Sequence, residues 1–193
     1  MADPAYIVDG VLTDGEAWVG ITTTTYGSDA GACTFTSTDD GQVGDFSQYM
    51  DLVVVGYARS AQADTNAYAQ MRFNGNYASI YTYQELRGDG SAVAAATATS
   101  TLARVGFLNA DSATANVFGT FVTHLFDVNS GKYKSGVSQS ADDRDGSGYV
   151  TMYAFTWGGQ APVSSIEIST SWWGNWMAGS SFSLFGVLPR MVA

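Results

Sequence analysis

Few side chains in this sequence are of the types that catalyse reactions or bind metal ions. His124 is the only histidine and Cys33 the only cysteine, so there is no zinc-ligand spacing. His124 could act as a general base or a metal ligand. It lies in the strand-like run VFGTFVTHLFDV, however, which favours a core or interface imidazole hydrogen-bonded to backbone. No serine has a G-x-S-x-G context. The sequence therefore predicts a non-enzymatic protein with no catalytic residue, no metal site and no cofactor.

Two acidic, glycine-containing segments have the composition of metal-binding loops. The segment DDRDGSG at 142–148 would need its first calcium ligand at Ala141 if an EF-hand spacing ended on Gly146, and alanine has no side-chain oxygen. Aspartate next to glycine is also typical of tight turns. We therefore predict a solvated hairpin turn here, and another turn at Asp39-Asp40-Gly41.

The segment WWGNWM holds three tryptophans within five residues of each other. Such a cluster can stack on sugar rings, pack at a subunit interface, or fold over the end of the protein's own core. The sequence leaves these alternatives open. The candidate residues for an interface or a glycan platform are Trp172, Trp173 and Trp176.

A surplus of acidic side chains argues against two classes of partner. The chain has 18 Asp and Glu against 8 Lys and Arg, which gives a net charge of −10. This charge repels the phosphate backbone of nucleic acids and the anionic lipids of membrane surfaces. We therefore predict no nucleic-acid partner and no membrane partner. The N-terminus has no signal-peptide pattern, so we expect synthesis in a cytoplasm.

Seven runs of residues have the period of β-strands, with alternating or clustered Val, Ile, Thr and aromatic residues. In the first run, Val19, Ile21, Thr23 and Thr25 are expected to share one face. The run at 51–60 (DLVVVGYARS) is apolar on both faces, which predicts a strand in the middle of a sheet. The runs span 18–26, 51–60, 79–86, 117–128, 149–157, 164–170 and 182–187. The alanine-rich segment 92–103 is left open between helix and strand.

Glycine, asparagine and aspartate separate these runs, as in proteins built from short strands and turns. We predict an all-β fold, a single antiparallel β-sandwich of jelly-roll type, over residues 16–193. Residues 1–15 are predicted to form an N-terminal arm that becomes ordered against a neighbouring protein. The arm residues expected to bind this partner are Tyr6, Ile7, Val8, Val11 and Leu12.

Four stretches, in this order along the chain, resemble a family of β-sandwich proteins from tailed-bacteriophage virions of the cyanophage and environmental type. They are FSQYMDL at 46–52 with the following YARS, YQELRGDGS at 83–91, FDVNSGKYKS at 126–135 and AGSSFSLFGV at 178–187. The sequence departs from the family's pattern at two places. Phe185 stands where a tyrosine is expected, and Phe126-Asp127 replaces Asp-Tyr.

The resemblance implies a virion protein that is made in the cytoplasm of a bacterial host cell and has no catalytic site. It also implies a symmetric homo-oligomer, in particular a trimer. On this basis Leu184 and Leu86 are expected in the core, and Gly186 and Gly88 at close approaches of the backbone.

The short chain, the absence of a fibre-like repeat and the apolar arm favour a capsid decoration or cement protein. Such a protein binds the major capsid protein or another virion protein and braces the assembled shell. The alternative is a tail or head-fibre component that binds a host surface glycan through the tryptophan segment. A third hypothesis is a virion-borne glycan hydrolase.

Overall fold

The computed structural model describes residues 18–171 and 174–188, preceded by two short strands that pair with each other, β1 (Ile7–Val8) and β2 (Val11–Leu12). A 3₁₀ turn spans Phe46–Gln48, and no α-helix occurs in this part of the chain. The other strands are β3 (Trp18–Thr25), β4 (Cys33–Thr36), β5 (Asp51–Ala58), β6 (Asn66–Phe73), β7 (Tyr81–Gly88), β8 (Val93–Ser100), β9 (Ala103–Asn109), β10 (Gly119–Phe126), β11 (Lys134–Asp143), β12 (Gly148–Trp157), β13 (Ser165–Thr170) and β14 (Ser181–Val187).

Strands β3 to β14 form two antiparallel sheets that pack face to face. The larger sheet has eight strands in the order β3-β14-β5-β10-β11-β12-β7-β8, and the smaller has four in the order β4-β13-β6-β9. Strand β9 contacts β10, β11 and β12 across the sandwich. The predicted all-β fold, a single antiparallel β-sandwich, is therefore confirmed.

The strands pair in a nested order along the chain. β3 pairs with β14, β4 with β13, β5 with β10 and β6 with β9, each pair antiparallel. Two hairpins, β7–β8 and β11–β12, are added to this ribbon and join the larger sheet beyond β10. These hairpins make the larger sheet twice as wide as the smaller one.

Aromatic side chains fill the space between the sheets, because alternate residues of each strand point inward. Phe73 of β6 lies against Phe155 and Trp157 of β12, with ring centroids 6.1 and 5.6 Å apart. Each fully buried ring of this kind contributes roughly 1.5–3 kcal/mol to the free energy of folding. The core is therefore continuous from one sheet to the other.

All seven predicted strands are present, and their ends differ from the prediction by at most two residues. Strand β5 lies between β14 and β10. Its residues Leu52, Val53 and Val54 are buried although they alternate between the two faces of the sheet. The prediction of a mid-sheet strand from its two apolar faces is confirmed.

The alternation predicted for β3 is wrong after Ile21. A β-bulge there breaks the register against β14 and shifts the phase of the strand by one residue. Val19 and Ile21 pack against the core as expected. Thr23 and Thr25, by contrast, are exposed, and Thr24 is half-buried.

The sequence does not predict strands β4, β6, β9 and β11, and the segment left open at 92–103 contains β8. Strand β11 shows why the period-two signal fails. Its inward positions are all buried, yet they carry polar or missing side chains: Lys134, Gly136, Ser138, Ser140 and Asp142. No apolar alternation marks such a strand.

Serine hydroxyls of β11 take the place of a strand partner along the inner edge of β9. Ser138 Oγ donates to the Val105 carbonyl at 2.5 Å, and the Phe107 N–H donates to Ser140 Oγ at 3.1 Å. A buried backbone group left without a partner costs about 1–3 kcal/mol. The two hydroxyls therefore allow β9 to end the smaller sheet above the middle of the larger one.

Two buried cations hold loops at the ends of the sandwich by donating to backbone carbonyls. Arg59 donates at 2.5–3.1 Å to four carbonyls of one loop, those of Asp111, Ala113, Thr114 and Val117. Lys134 Nζ donates at 2.6 and 2.7 Å to the carbonyls of Ser130 and Lys132. Hydrogen bonds from charged donors are stronger than neutral ones, which offsets the cost of burying the charge.

Of the two glycine–leucine pairs with expected roles, one is as expected and the other is not. Leu184 is buried, and a Cβ on Gly186 would lie 2.2 Å from Tyr49 Cδ1, so close approach holds there. Leu86, in contrast, is exposed, and a Cβ on Gly88 would meet nothing within 4 Å. Leu86 lies on the outward face of β7, so the expectation of a core residue is wrong.

We predict different effects for the same substitution at these two strand glycines. Gly186→Ala forces the Cβ into the buried Tyr49 ring and should lower the free energy of unfolding by roughly 1–3 kcal/mol or more. Gly88→Ala adds its Cβ in open space and should change stability by about 0.5 kcal/mol or less. Urea unfolding of both variants measures the difference. Equal losses would contradict the packing of Tyr49 on Gly186.

Candidate functional site

The structure settles the position of one of the three candidate tryptophans. Trp176 is 0% exposed, its ring lies 5.0 Å from that of Phe182, and its Nε1 donates to the Ile168 carbonyl at 3.3 Å. A ring in this position has no free face for a sugar or a second subunit, so core packing describes this residue. Trp172 and Trp173 lie outside the described residues.

The arm is described only in part. The backbones of Ile7–Val8 and Val11–Leu12 pair antiparallel as a two-stranded sheet. Tyr6 lies outside the described residues, and so do the side chains of the four paired residues. The predicted binding role of Tyr6, Ile7, Val8, Val11 and Leu12 stays a prediction.

His124 lies on the outward face of the larger sheet and bonds to a carboxylate. Its Nε2 is 3.0 Å from Asp51 Oδ2, and its ring stacks on Phe126 with centroids 4.0 Å apart. The other Asp51 oxygen accepts the Asp127 N–H at 2.8 Å. The expected backbone partner is therefore replaced by a side chain. In the part of the chain that the structure describes, no serine, threonine or cysteine is hydrogen-bonded to His124.

The acidic segment at 142–148 is the predicted hairpin turn, but one of its carboxylates is not solvated. Asp145 and Gly146 have φ values of 67° and 92°, as a tight turn between twisted strands requires. Asp142 is buried, accepts the Tyr149 N–H at 2.9 Å and lies 3.4 Å from Arg144 Nε. Burial raises the pKa of Asp142 to about 6, and the Arg144 guanidinium offsets only part of this rise.

The second acidic turn is solvated as predicted. Asp40 accepts hydrogen bonds from the Thr38 hydroxyl at 2.6 Å and from the Gln42 N–H at 2.9 Å. These bonds favour the ionised form and lower the pKa of Asp40. Across the described residues, no group of three or more His, Cys, Asp or Glu side chains is arranged to hold a metal ion.

The outer face of the larger sheet carries an apolar patch without formal charge. Val93 and Val150 are 74% and 71% exposed. Five neighbouring strands form this patch: β10, β11, β12, β7 and β8. Their outward positions in the described residues carry no Asp, Glu, Lys or Arg, except Asp143 at the hairpin end of β11. We call this surface the apolar face. Its large exposed apolar side chains are Leu86, Val93, Val122, Phe126, Val137, Val150 and Met152.

The strand register brings four large side chains of the apolar face together, whereas Gln139 lies between these and Val122. Met152 is paired with Leu86, which is paired in turn with Ala95. In the next row of outward residues, Gly88 of β7 is paired with Val150 of β12 on one side and with Val93 of β8 on the other. Side chains that are directly opposite on neighbouring strands are within contact distance. The signal for this face is present in the sequence, because Val150 and Met152 alternate with the inward aromatics of β12.

The patch ends at β8, an edge strand that is exposed on both sides. Its sequence, VAAATATS, contains no charge, and its residues from Val93 to Thr97 are all exposed. β8 pairs with β7 and has no second strand partner among the described residues. Long, uncharged edge strands are uncommon in free monomers because they pair with other chains.

Comparisons of the chain with protein-family models, with curated proteins and with solved structures find no match. In the described residues, no helix is long and apolar enough to cross a membrane. The surfaces of this molecule are therefore the basis for inferring its function.

We predict that Asp142 makes stability depend on pH in a direction opposite to that of a salt-bridged carboxylate. Its pKa of about 6 exceeds the usual 3.8, so the folded state binds the proton more tightly than the unfolded chain. Its ionisation therefore destabilises the fold as pH rises through 4 to 6. At pH 7, Asp142→Asn should raise the free energy of unfolding by roughly 1–3 kcal/mol.

The measurement is urea unfolding of parent and variant at pH 4, 5, 6 and 7. The gain in the variant should shrink to a small fraction of its pH 7 value as pH falls to 4, because Asp142 is then protonated in the folded state and about half protonated in the unfolded chain. Asp145→Asn, in the exposed part of the same turn, is the control and should show no such trend. A gain that is constant with pH would contradict the raised pKa.

Proposed function

We propose that this chain is a non-enzymatic structural protein of a tailed-phage virion, a decoration or cement protein that assembles with further copies of itself through the apolar face. The observation that carries the proposal is the apolar face, whose seven large exposed apolar side chains are separated only by residues without formal charge, apart from Asp143 at one end. Contiguous patches of this kind on soluble proteins mark interfaces. The resemblance of four ordered sequence stretches to virion proteins supplies the biological setting.

The distribution of charge favours a second copy as the occupant of this face. Two chains with a net charge of −10 repel each other. Many acidic groups lie in exposed loops, among them Asp29, Asp39, Asp64, Asp89, Asp111, Asp127 and Asp145. Contact through a surface with almost no charged group avoids placing these carboxylates against each other.

The size of the apolar face is also suitable. Five strands spaced about 4.8 Å apart, each contributing about eight residues, cover roughly 600 Å² in projection. A stable interface buries about 800 Å² on each partner, and a surface with side chains has more area than its projection. The exposed backbone of β8 lies at the margin of the same face, so one contact could cover both.

The winding of the chain supports the finer assignment to the jelly-roll type. In a jelly roll, a long antiparallel ribbon is wrapped so that its strands alternate between two sheets. The nested pairs β3·β14, β4·β13, β5·β10 and β6·β9 are the ribbon that this description requires. The members of each pair share a sheet, and successive pairs alternate between the two sheets.

The alternative, a tail or head-fibre component that binds a host glycan, is favoured by a different observation. A polar cavity of about 300 Å³ lies on the outer face of the smaller sheet, on the side of the sandwich away from the apolar face. The two functions are compatible, since they use opposite surfaces.

We predict that the protein is a homo-oligomer in solution, with three copies as the resemblance implies, and that charge on the apolar face dissociates it. Leu86→Lys and Val150→Lys each place an unpaired charge inside the apolar contact, where it would lose its hydration, and should each give monomers at micromolar concentration. Val43→Lys adds the same charge at an exposed loop valine and should leave the oligomer intact. Light scattering after gel filtration gives the masses. A monomeric parent, or dissociation of all three variants alike, would refute self-assembly through this face.

We predict that deletion of residues 2–15 lowers incorporation of the protein into phage particles without changing its oligomeric state. The deleted arm is too apolar for a free tail, and such segments gain most by ordering against a partner. Quantitative mass spectrometry of purified particles measures incorporation. Normal incorporation of the truncated protein would show that the arm does not dock. If particles lacking the whole protein are equally resistant to heat but fail to adsorb to cells, the glycan-binding alternative replaces the cement role.

A further inference from the structure

The smaller sheet has a hollow in its outer face, formed by a difference in side-chain size between neighbouring strands. On β13 and just beyond it, the outward residues are Ser169 and Ser171. On the adjacent strand β6 they are Tyr68, Gln70 and Arg72. Short side chains beside long ones leave a cavity of about 300 Å³, which is at the lower end of the range for small-ligand sites.

The floor of this cavity is a row of polar side chains set by the strand register. Ser169 of β13 is paired with Gln70 of β6, and Gln70 is paired with Arg104 of β9. Thr101, in the connection between β8 and β9, lies at the rim. A hydroxyl, an amide and a guanidinium thus lie side by side, and together they can both donate and accept hydrogen bonds.

Arg104 supplies a positive charge that its protein partner does not neutralise. Its guanidinium lies 3.8 Å above the Tyr68 ring and 3.9 Å from Glu85 Oε2. The same Glu85 is also 3.5 Å from Arg87, so one carboxylate is shared between two cations. The contacts with the Tyr68 and Tyr83 rings restrict the Arg104 side chain, which lowers the entropy cost of ordering it around an anion.

The second arginine, Arg72, lines the cavity, but its charge is balanced by a carboxylate. Arg72 forms an ion pair with Glu167, its cross-strand neighbour, and lies 4.0 Å above the Tyr77 ring. The net charge lining the cavity is therefore positive and comes from Arg104. This is notable in a chain whose total charge is −10.

We propose that this cavity binds one residue of an acidic glycan, with the sugar carboxylate on Arg104 and the sugar hydroxyls on Gln70, Ser169 and Thr101. A carboxylate matches a planar guanidinium through two hydrogen bonds. The amide and hydroxyl groups beside Arg104 match a polyol, which has several donors and acceptors close together. The site lies on the face opposite the apolar face, so sugar binding and self-assembly can be lost independently.

The test is calorimetric titration of the full-length protein with methyl glucuronoside and methyl glucoside. These two sugars differ only at C6, which is a carboxylate in the first and a hydroxymethyl group in the second. The glucuronoside should bind and the glucoside should bind at least 10-fold more weakly. Arg104→Gln should weaken glucuronoside binding roughly 10- to 100-fold, as expected for loss of a charge-assisted hydrogen bond. Lys132→Gln removes the same charge from an exposed loop and should leave the affinity unchanged.

A second variant tests the cavity independently, in case Arg104→Gln does not fold. Ser169→Met fills the floor of the cavity without altering charge and should also abolish binding, while circular dichroism and light scattering report an unchanged fold and oligomer. Equal affinity for the two sugars would refute the acidic specificity. Equal affinity for inorganic sulfate and the glucuronoside would show that the cavity binds small anions without recognising the sugar, which would also refute the proposal. Absence of binding at millimolar concentrations of both sugars would overturn the proposal.

Discussion

The inner edge of β9 is the constraint on which the arrangement of the two sheets depends. The smaller sheet ends at this strand while the larger one continues beneath it, so the free backbone groups of β9 face the protein interior. Ser138 and Ser140 satisfy them with hydroxyl groups. A Cβ on Gly106 would lie 2.7 Å from Ser140 Cβ, which shows how closely β9 and β11 approach. The serines of β11 thus bond to the backbone of β9 as a neighbouring strand would, and they occupy inward positions that usually carry apolar side chains.

This termination leaves the far part of the larger sheet without a complete cover. Beyond β9, the inner side is closed by Glu85 with Arg87 and Arg104, and by rings such as Tyr83 and Tyr153. In strand β8, Ala98 packs against the core, but the residues from Val93 to Thr97 are exposed on both sides. An uncharged edge strand with this exposure is a template for pairing with another chain. The exposed hairpin and the apolar face beside it are thus one consequence of the same geometry.

The two broad surfaces of the sandwich differ in chemistry because they are built from different parts of the ribbon. The added hairpins β7–β8 and β11–β12 supply most of the apolar face, whereas β6, β9 and β13 of the smaller sheet supply the arginines, tyrosines and hydroxyls around the cavity. A protein that assembles through one surface keeps the other available. The proposed self-assembly through the apolar face would therefore leave the polar surface of the smaller sheet accessible.

The sequence by itself determined the strands whose own residues carry the signal, by alternation in β12 and β14 and by two apolar faces in β5. It also determined the turns whose Asp and Gly residues adopt left-handed φ. Those signals are local, since they depend on side-chain direction within one strand or on the backbone of one turn. Tertiary structure alone decided the rest. The inward serines of β11 are stable only because β9 lies above them, and the bulge at Ile21 is visible only against β14. Leu86 has the residue type of a core position, and Asp142 that of a solvated turn. The first is exposed and the second buried, because burial depends on which strands the chain places above a residue, and that is decided by contacts far apart in the sequence.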